Sequence, residues 1–190
     1  MENLINIDQI YNKVNLVNQK IGNKEFDECT FINCDFTNAD FSNSTFISCH
    51  FIDCNLSMLQ LSGASLQNVD FKNCKLLGIL FKSCNDFLFE VNFKDCTLDY
   101  ASFANKKMIK TNFDNCSLKE TEFIGANLTN SVFEKCNLDK TIFDDTNLSG
   151  ADFTSAENFK INPEFNVLKK AKFSTNGISG LLDKYDIIIE

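Results

Sequence analysis

The sequence predicts an all-β fold, a four-sided solenoid that uses twenty residues per coil, and three observations carry this prediction. From Thr111 to Phe153 the chain divides into blocks of five whose centres alternate strictly: Phe113, Leu118, Phe123, Leu128, Phe133, Leu138, Phe143, Leu148, Phe153. Two places before each centre stands a small residue, drawn from Ala, Ser, Thr and Cys. Residue identity is then sorted a second time, every fourth block.

Five residues of α-helix turn through roughly 500°, so successive centres would drift by roughly 140° and share no face. In a flat strand side chains alternate with period two, and an odd spacing would flip each centre to the opposite face. A chain that bends the same way once per block keeps every centre and every small residue inside. That is a solenoid.

The longer period gives the coil its four sides. Phe31, Phe51, Phe71, Phe93, Phe113, Phe133, Phe153 and Phe173 share one register of twenty, once a two-residue insertion is allowed for. Cys34, Cys54, Cys74, Cys96, Cys116 and Cys136 share another, and Leu56, Leu76, Leu98, Leu118 and Leu138 a third. Stacking of each side chain on its equivalent one coil away produces this sorting. About seven coils are expected, a rod of roughly 30–35 Å at the strand spacing. Cysteines stacked on parallel vectors would have Cβ atoms about 4.8 Å apart, outside the usual disulfide range of roughly 3.5–4.5 Å, so free thiols are expected.

Taken in order, residues 1–13 are expected to form an N-terminal cap, since terminal units of a solenoid need covering. Leu4, Ile5, Ile7 and Ile10 fit either one face of a short helix or an irregular strand. The coil is expected over residues 14–173, with firm centres from Phe26 to Phe81. The next firm centre, Phe93, comes twelve residues later, so two residues are inserted within 82–92 and Asp86 stands where a centre is due. Beside it, Phe87-Leu88-Phe89 places three apolar residues consecutively, more than an alternating pattern turns inward. The last coil is irregular over 156–170, around Pro163, the chain's one proline. Residues 174–190 read as a C-terminal cap: a short helix over Ile178–Tyr185 with Leu181 and Leu182 inward, then a short strand over Ile187–Ile189. Ile178, Leu181, Leu182, Tyr185, Ile187 and Ile189 are also the candidate dimer segment.

Composition narrows the function. Sixteen of the 20 Phe are block centres, so the aromatic content is core material rather than a stacking surface for bases. With 26 acids against 18 basic residues, all of them Lys, the chain lacks the basic footprint of direct nucleic-acid binding. Glu25 to Phe71 holds Glu25, Asp27, Glu28, Asp35, Asp40, Asp53 and Asp70 and no Lys, a candidate acidic interaction face. Phe87 and Phe89 beside the insertion either form a second candidate surface or pack back onto the coil. All 9 Cys fall at the small-residue place. Without C-x-x-C spacing and with His50 as the one His, no metal or cofactor is expected. No signal peptide or membrane span is legible, and a reducing cytoplasm fits the cysteine usage.

Blocks such as Ala39-Asp40-Phe41, Ala126-Asn127-Leu128 and Ala151-Asp152-Phe153 resemble those of the pentapeptide repeat proteins, over roughly Val14 to Phe173. The resemblance implies a right-handed quadrilateral β-helix. It also brings the family's topoisomerase-protecting members, acidic dimers that resemble B-DNA in shape and charge and act on DNA gyrase. Their coils carry sizeable loops needed for protection, whereas the insertion here is two residues long.

Neither a phosphate-binding glycine motif, nor H-E-x-x-H, nor G-x-S-x-G occurs. The expected function is therefore a non-enzymatic rigid scaffold for protein–protein interaction. The alternative is an acidic DNA mimic that binds a type II topoisomerase such as gyrase.

Overall fold

A computed structural model describes residues 4–185 and 187–188. The chain winds as a four-sided parallel β-solenoid. Its first side carries strands β1 (Ile5–Ile7), β3 (Glu25–Asp27), β5 (Thr45–Ile47) and β7 (Ser65–Gln67), stacked in that order. Its second side carries β2 (Ile10–Asn12), β4 (Thr30–Ile32), β6 (His50–Ile52), β8 (Val69–Lys72), β9 (Val91–Lys94), β10 (Asn112–Asp114), β11 (Val132–Glu134), β12 (Asp152–Phe153) and β13 (Lys172–Phe173), a 9-stranded sheet. The third and fourth sides are joined by single parallel bridges such as Asn15↔Asp35 and Lys20↔Asp40.

Nine stacked levels make about eight turns and a rod of about 38 Å, one turn more than the sequence count. The additional turn comes from the N-terminal segment. Ile5–Ile7 pairs with Glu25–Asp27 and Ile10–Asn12 with Thr30–Ile32, so within the described residues this segment lays down two sides of the coil itself. Asn6 and Tyr11 take the centre places there, opposite Phe26 and Phe31, which hides the Phe/Leu pattern.

Ring stacking fixes the core. On the second side Phe31, Phe51, Phe71, Phe93, Phe113, Phe133, Phe153 and Phe173 stack with centroids 4.5–5.3 Å apart and planes within 14° of parallel. Phe81, Phe103, Phe123 and Phe143 repeat this on the fourth side, and the two columns meet edge to face. Both are favoured aromatic geometries.

The small-residue place has a second reason beyond size. The thiols of Cys34, Cys54, Cys74, Cys96 and Cys136 donate to carbonyls of the turn below, those of Tyr11, Phe31, Phe51, Phe71 and Phe113, each at 3.4 Å. Thr121, Ser131, Thr141 and Thr146 do the same through hydroxyls at 2.7–2.9 Å. Cys, Ser and Thr are interchangeable because each satisfies its own buried donor.

Corners are made two places after each centre. The residue there adopts the left-handed conformation almost throughout, from Asp8 (φ 50°) through Asn33 (φ 52°) to Gly150 (φ 69°). Asn, Asp and Gly tolerate that region best, which explains their abundance at the corners.

Candidate interaction surface

The insertion shapes the most distinctive surface. After Phe81 the chain makes one 3-10 turn (Phe81–Ser83), and the Asn85 amide rejoins the coil on the Ala64 carbonyl at 2.8 Å. Asp86 to Phe89 then forms a tight turn, closed by the Phe89 amide on the Asp86 carbonyl at 3.4 Å, with Leu88 left-handed at φ 55°. At its tip Phe87 is 74% exposed and Leu88 59%.

Phe89, the other ring of this candidate surface, is packed back onto the coil and buried. Its ring lies edge-on to Phe81 at 6.5 Å and supplies the inward group that Asp86 cannot. Val91 then pairs with Val69 and Phe93 stacks on Phe71 at 5.3 Å, so the coil resumes undisturbed. The first-side sheet nevertheless ends at β7, and single bridges such as Lys107↔Asn127 continue that side.

Beneath the turn lies Lys106, only 2% exposed. It occupies the small-residue place before Met108, and its Nζ donates to the Cys84 carbonyl and to Asp86 Oδ1, both at 2.5 Å. The same Nζ lies 5.2 Å from the centroid of the Phe89 ring. This residue escaped the sequence reading. Its signal was a lysine where the pattern calls for a small side chain.

The acidic window does not form one face. Asp27 lies on the first side, Asp70 on the second, Asp35 on the third and Asp40 on the fourth, while Glu28 and Asp53 are left-handed corner residues. A window spanning more than two turns necessarily wraps the rod. Several of these acids also hold the coil. Asp35 Oδ1 accepts from the Thr37 amide at 3.0 Å, and Asp53 Oδ1 accepts from Asn73 at 2.6 Å. Asp70 accepts from Asn92 at 3.2 Å and faces His50 Nδ1 at 3.3 Å. Hydrogen bonds from the Ser42 hydroxyl and amide hold the Asp40 carboxyl below its ordinary range.

The C-terminal end is closed by α1 (Ser179–Leu182), flanked by 3-10 turns Asn176–Ile178 and Asp183–Tyr185. Leu181 packs on the core, Leu182 is half-buried, and Ile178, Tyr185 and Ile187 are exposed. The Ile161 amide donates to the Gly180 carbonyl at 3.0 Å, and ion pairs Lys160–Asp183 (2.8 Å) and Lys184–Glu164 fasten the cap to the coil. Ile187 and Ile188 form no strand, and Ile189 lies outside the described residues.

The cysteines are placed for packing rather than chemistry. All nine are buried free thiols, and among the described residues no cluster of His, Cys, Asp or Glu has the geometry of a metal site. Burial pushes Cys49 and Cys84 up to about 12. A thiolate on Cys49 or Cys84 would be a buried charge, so both stay protonated at neutral pH.

The family model "Pentapeptide repeat region" matches residues 24–103 and 103–181. This chain is a pentapeptide repeat protein. Among solved structures it is similar to a trypsin-treated variant of QnrB1, described as a plasmid-mediated fluoroquinolone resistance protein. The TM-score is 0.67 at 20% identity, covering 95% of this chain and 100% of that one. Full-length QnrB1 gives a TM-score of 0.54 at 21% identity, covering 94% and 100%. HetL, a pentapeptide repeat protein involved in heterocyst differentiation regulation from the cyanobacterium Nostoc, gives 0.48 at 15% identity, covering 90% and 88%. No curated protein sequence matches the chain. At these identities the QnrB1 likeness concerns the fold.

Proposed function

We propose that this pentapeptide repeat protein is a non-enzymatic rigid scaffold that binds a protein partner through outward side chains, led by Phe87 and Leu88. The observation that supports this reading is the turn itself. Two large apolar groups project from it, while Lys106 and Phe89 fix it from inside. Rigid exposed aromatic anchors bring large contact area at small entropic cost on binding. A photo-crosslinking phenylalanine analogue at position 87, compared with one at outward position 127, tests it. Discrete protein adducts at 87 and none at 127 are expected, whereas equal labelling at both positions sinks the assignment.

A second reading is favoured by charge. The chain carries a net charge of −8, and its acids wind around all four sides of the rod. Such a rod would compete for a basic DNA-binding saddle, with sharp salt dependence. DNA supercoiling by gyrase, with and without a quinolone, tests it. Neither inhibition nor protection at micromolar protein removes this reading and leaves the first standing.

A further inference from the structure

The first turn carries a surface that neither the core nor the Phe87–Leu88 turn uses. β1 and β2 are the terminal strands of their sheets, so each has a backbone edge without a strand partner among the described residues. Leu4, Ile5, Ile7 and Ile10, all 53–73% exposed, cluster on and beside these strands. One turn up, the places paired with Ile5, Ile7 and Ile10 hold Glu25, Asp27 and Thr30. The aliphatic cluster therefore belongs to the end of the rod and not to the repeat. Protected edges usually carry charges, prolines or bulges, and exposed isoleucines do the opposite.

Two strand edges on adjacent sides of one coil set a demanding shape. A single added strand matches one edge, whereas another coil end of the same pitch and corner angle matches both. The opposite end of the rod cannot serve, because α1 covers its last turn and is bonded to Ile161 there. The remaining matching end is the first turn of a second copy.

Charge agrees. Residues 4–23 hold one acid, Asp8, against Lys13 and Lys20, whereas residues 24–43 hold five acids against Lys24. Two copies meeting at their first turns avoid the repulsion expected elsewhere between chains of charge −8, and bring Lys13 and Lys20 toward the partner's acidic second turn.

We infer that two chains associate head to head through their first turns about a two-fold axis, the β1 edge of each meeting the β2 edge of the other with the Leu4–Ile10 aliphatics of both chains between them. A two-fold axis makes the facing strands antiparallel, so the interface is self-complementary and closes. The product is a continuous rod of about 80 Å with a Phe87–Leu88 turn on each half. This association rests on none of the contacts proposed above for a partner.

Light scattering on the eluting full chain tests it. At tens of micromolar the expected mass is twice the 21.6 kDa of one chain, and Ile7→Lys/Ile10→Lys is expected to run at 21.6 kDa with unchanged circular dichroism. A monomeric wild type overturns the inference. So does a dimer that survives this substitution, or one that dissociates on Ile178→Lys/Tyr185→Lys instead. Should the first variant fail to fold, amine cross-linking of mixed light and heavy wild-type chains decides. Intermolecular links at Lys13 or Lys20 are expected, and links confined to Lys160, Lys172 and Lys184 overturn the inference.

Discussion

Lys106 Nζ lies 2.5 Å from the carbonyl oxygen of Cys84, twenty-two residues earlier in the chain and one turn away in the coil. A cation at a place meant for a small side chain is tolerated because three groups of the inserted segment meet it there: this carbonyl, Asp86 Oδ1 and the Phe89 ring. Lys106→Met keeps the stem and removes the donors, leaving the Cys84 carbonyl short of a partner. A loss of about 1–3 kcal/mol is expected, seen as a melting temperature lower by roughly 2–10 °C. Melting at or above the wild-type temperature would show that the turn does not depend on Lys106.

Phe113 is fully buried and stacked between Phe93 at 5.3 Å and Phe133 at 4.9 Å. Phe113→Ala should cost about 3–5 kcal/mol, from lost transfer energy and the cavity left behind. Phe87→Ala, at the exposed tip, should stay within about 0.5 kcal/mol of wild type. Urea unfolding of both proteins measures the contrast, and similar losses would contradict the placement of the two rings.

The corner residues predict a reversal of the usual glycine rule. Gly125 has φ 67°, and a Cβ there would sit 2.4 Å from Asn105 Oδ1. Gly125→Ala should therefore destabilise by about 1–2 kcal/mol. Tyr100, exposed and left-handed at φ 63°, should gain a few tenths of a kcal/mol, up to about 1, on replacement by Asn. Chemical denaturation of the two variants gives both signs, and a stabilised Gly125→Ala would refute the corner assignment.

The thiols predict an alkaline limit. Burial raises Cys49 and Cys84 from the ordinary 9.0 to about 12, so the folded chain keeps protons that the unfolded chain releases. Their contribution is complete below about pH 8 and is lost as pH rises through 9 toward 12, at about 1 kcal/mol per pH unit per thiol. The urea midpoint should be flat from about pH 6 to 8 and fall above 9. A thiol reagent should find few of the 9 cysteines in the native chain and all of them in urea. Quantitative labelling of folded protein at neutral pH would count against the buried column.

The core was legible because its code is repetitive. Phe31 to Phe173 and Cys34 to Cys136 name their own columns, and each side chain packs on a copy of itself. Where the code lapses, so did the reading. Asn6 and Tyr11 stand at centre places without being Phe or Leu, which concealed the first turn. The sequence leaves the orientation of Phe87 and Phe89 open because two inserted residues leave the local frame undefined, and burial rather than spacing chooses which ring turns inward. The supposed acidic face came from treating closeness in sequence as closeness in space, although five residues already turn a corner. Lys106 shows locally only as a lysine at a small-residue place, and its role depends on a segment twenty residues away that no local pattern supplies.

The insertion leaves the rings above and below it stacked at the ordinary 5.3 Å, since Phe71 and Phe93 meet as closely as Phe93 and Phe113. The coil thus behaves as a ruler with replaceable markings. Foreign peptide sequences grafted between Asp86 and Phe89, with Lys106 and Phe89 retained, should be displayed at a fixed height on the rod while the turns on either side keep their spacing.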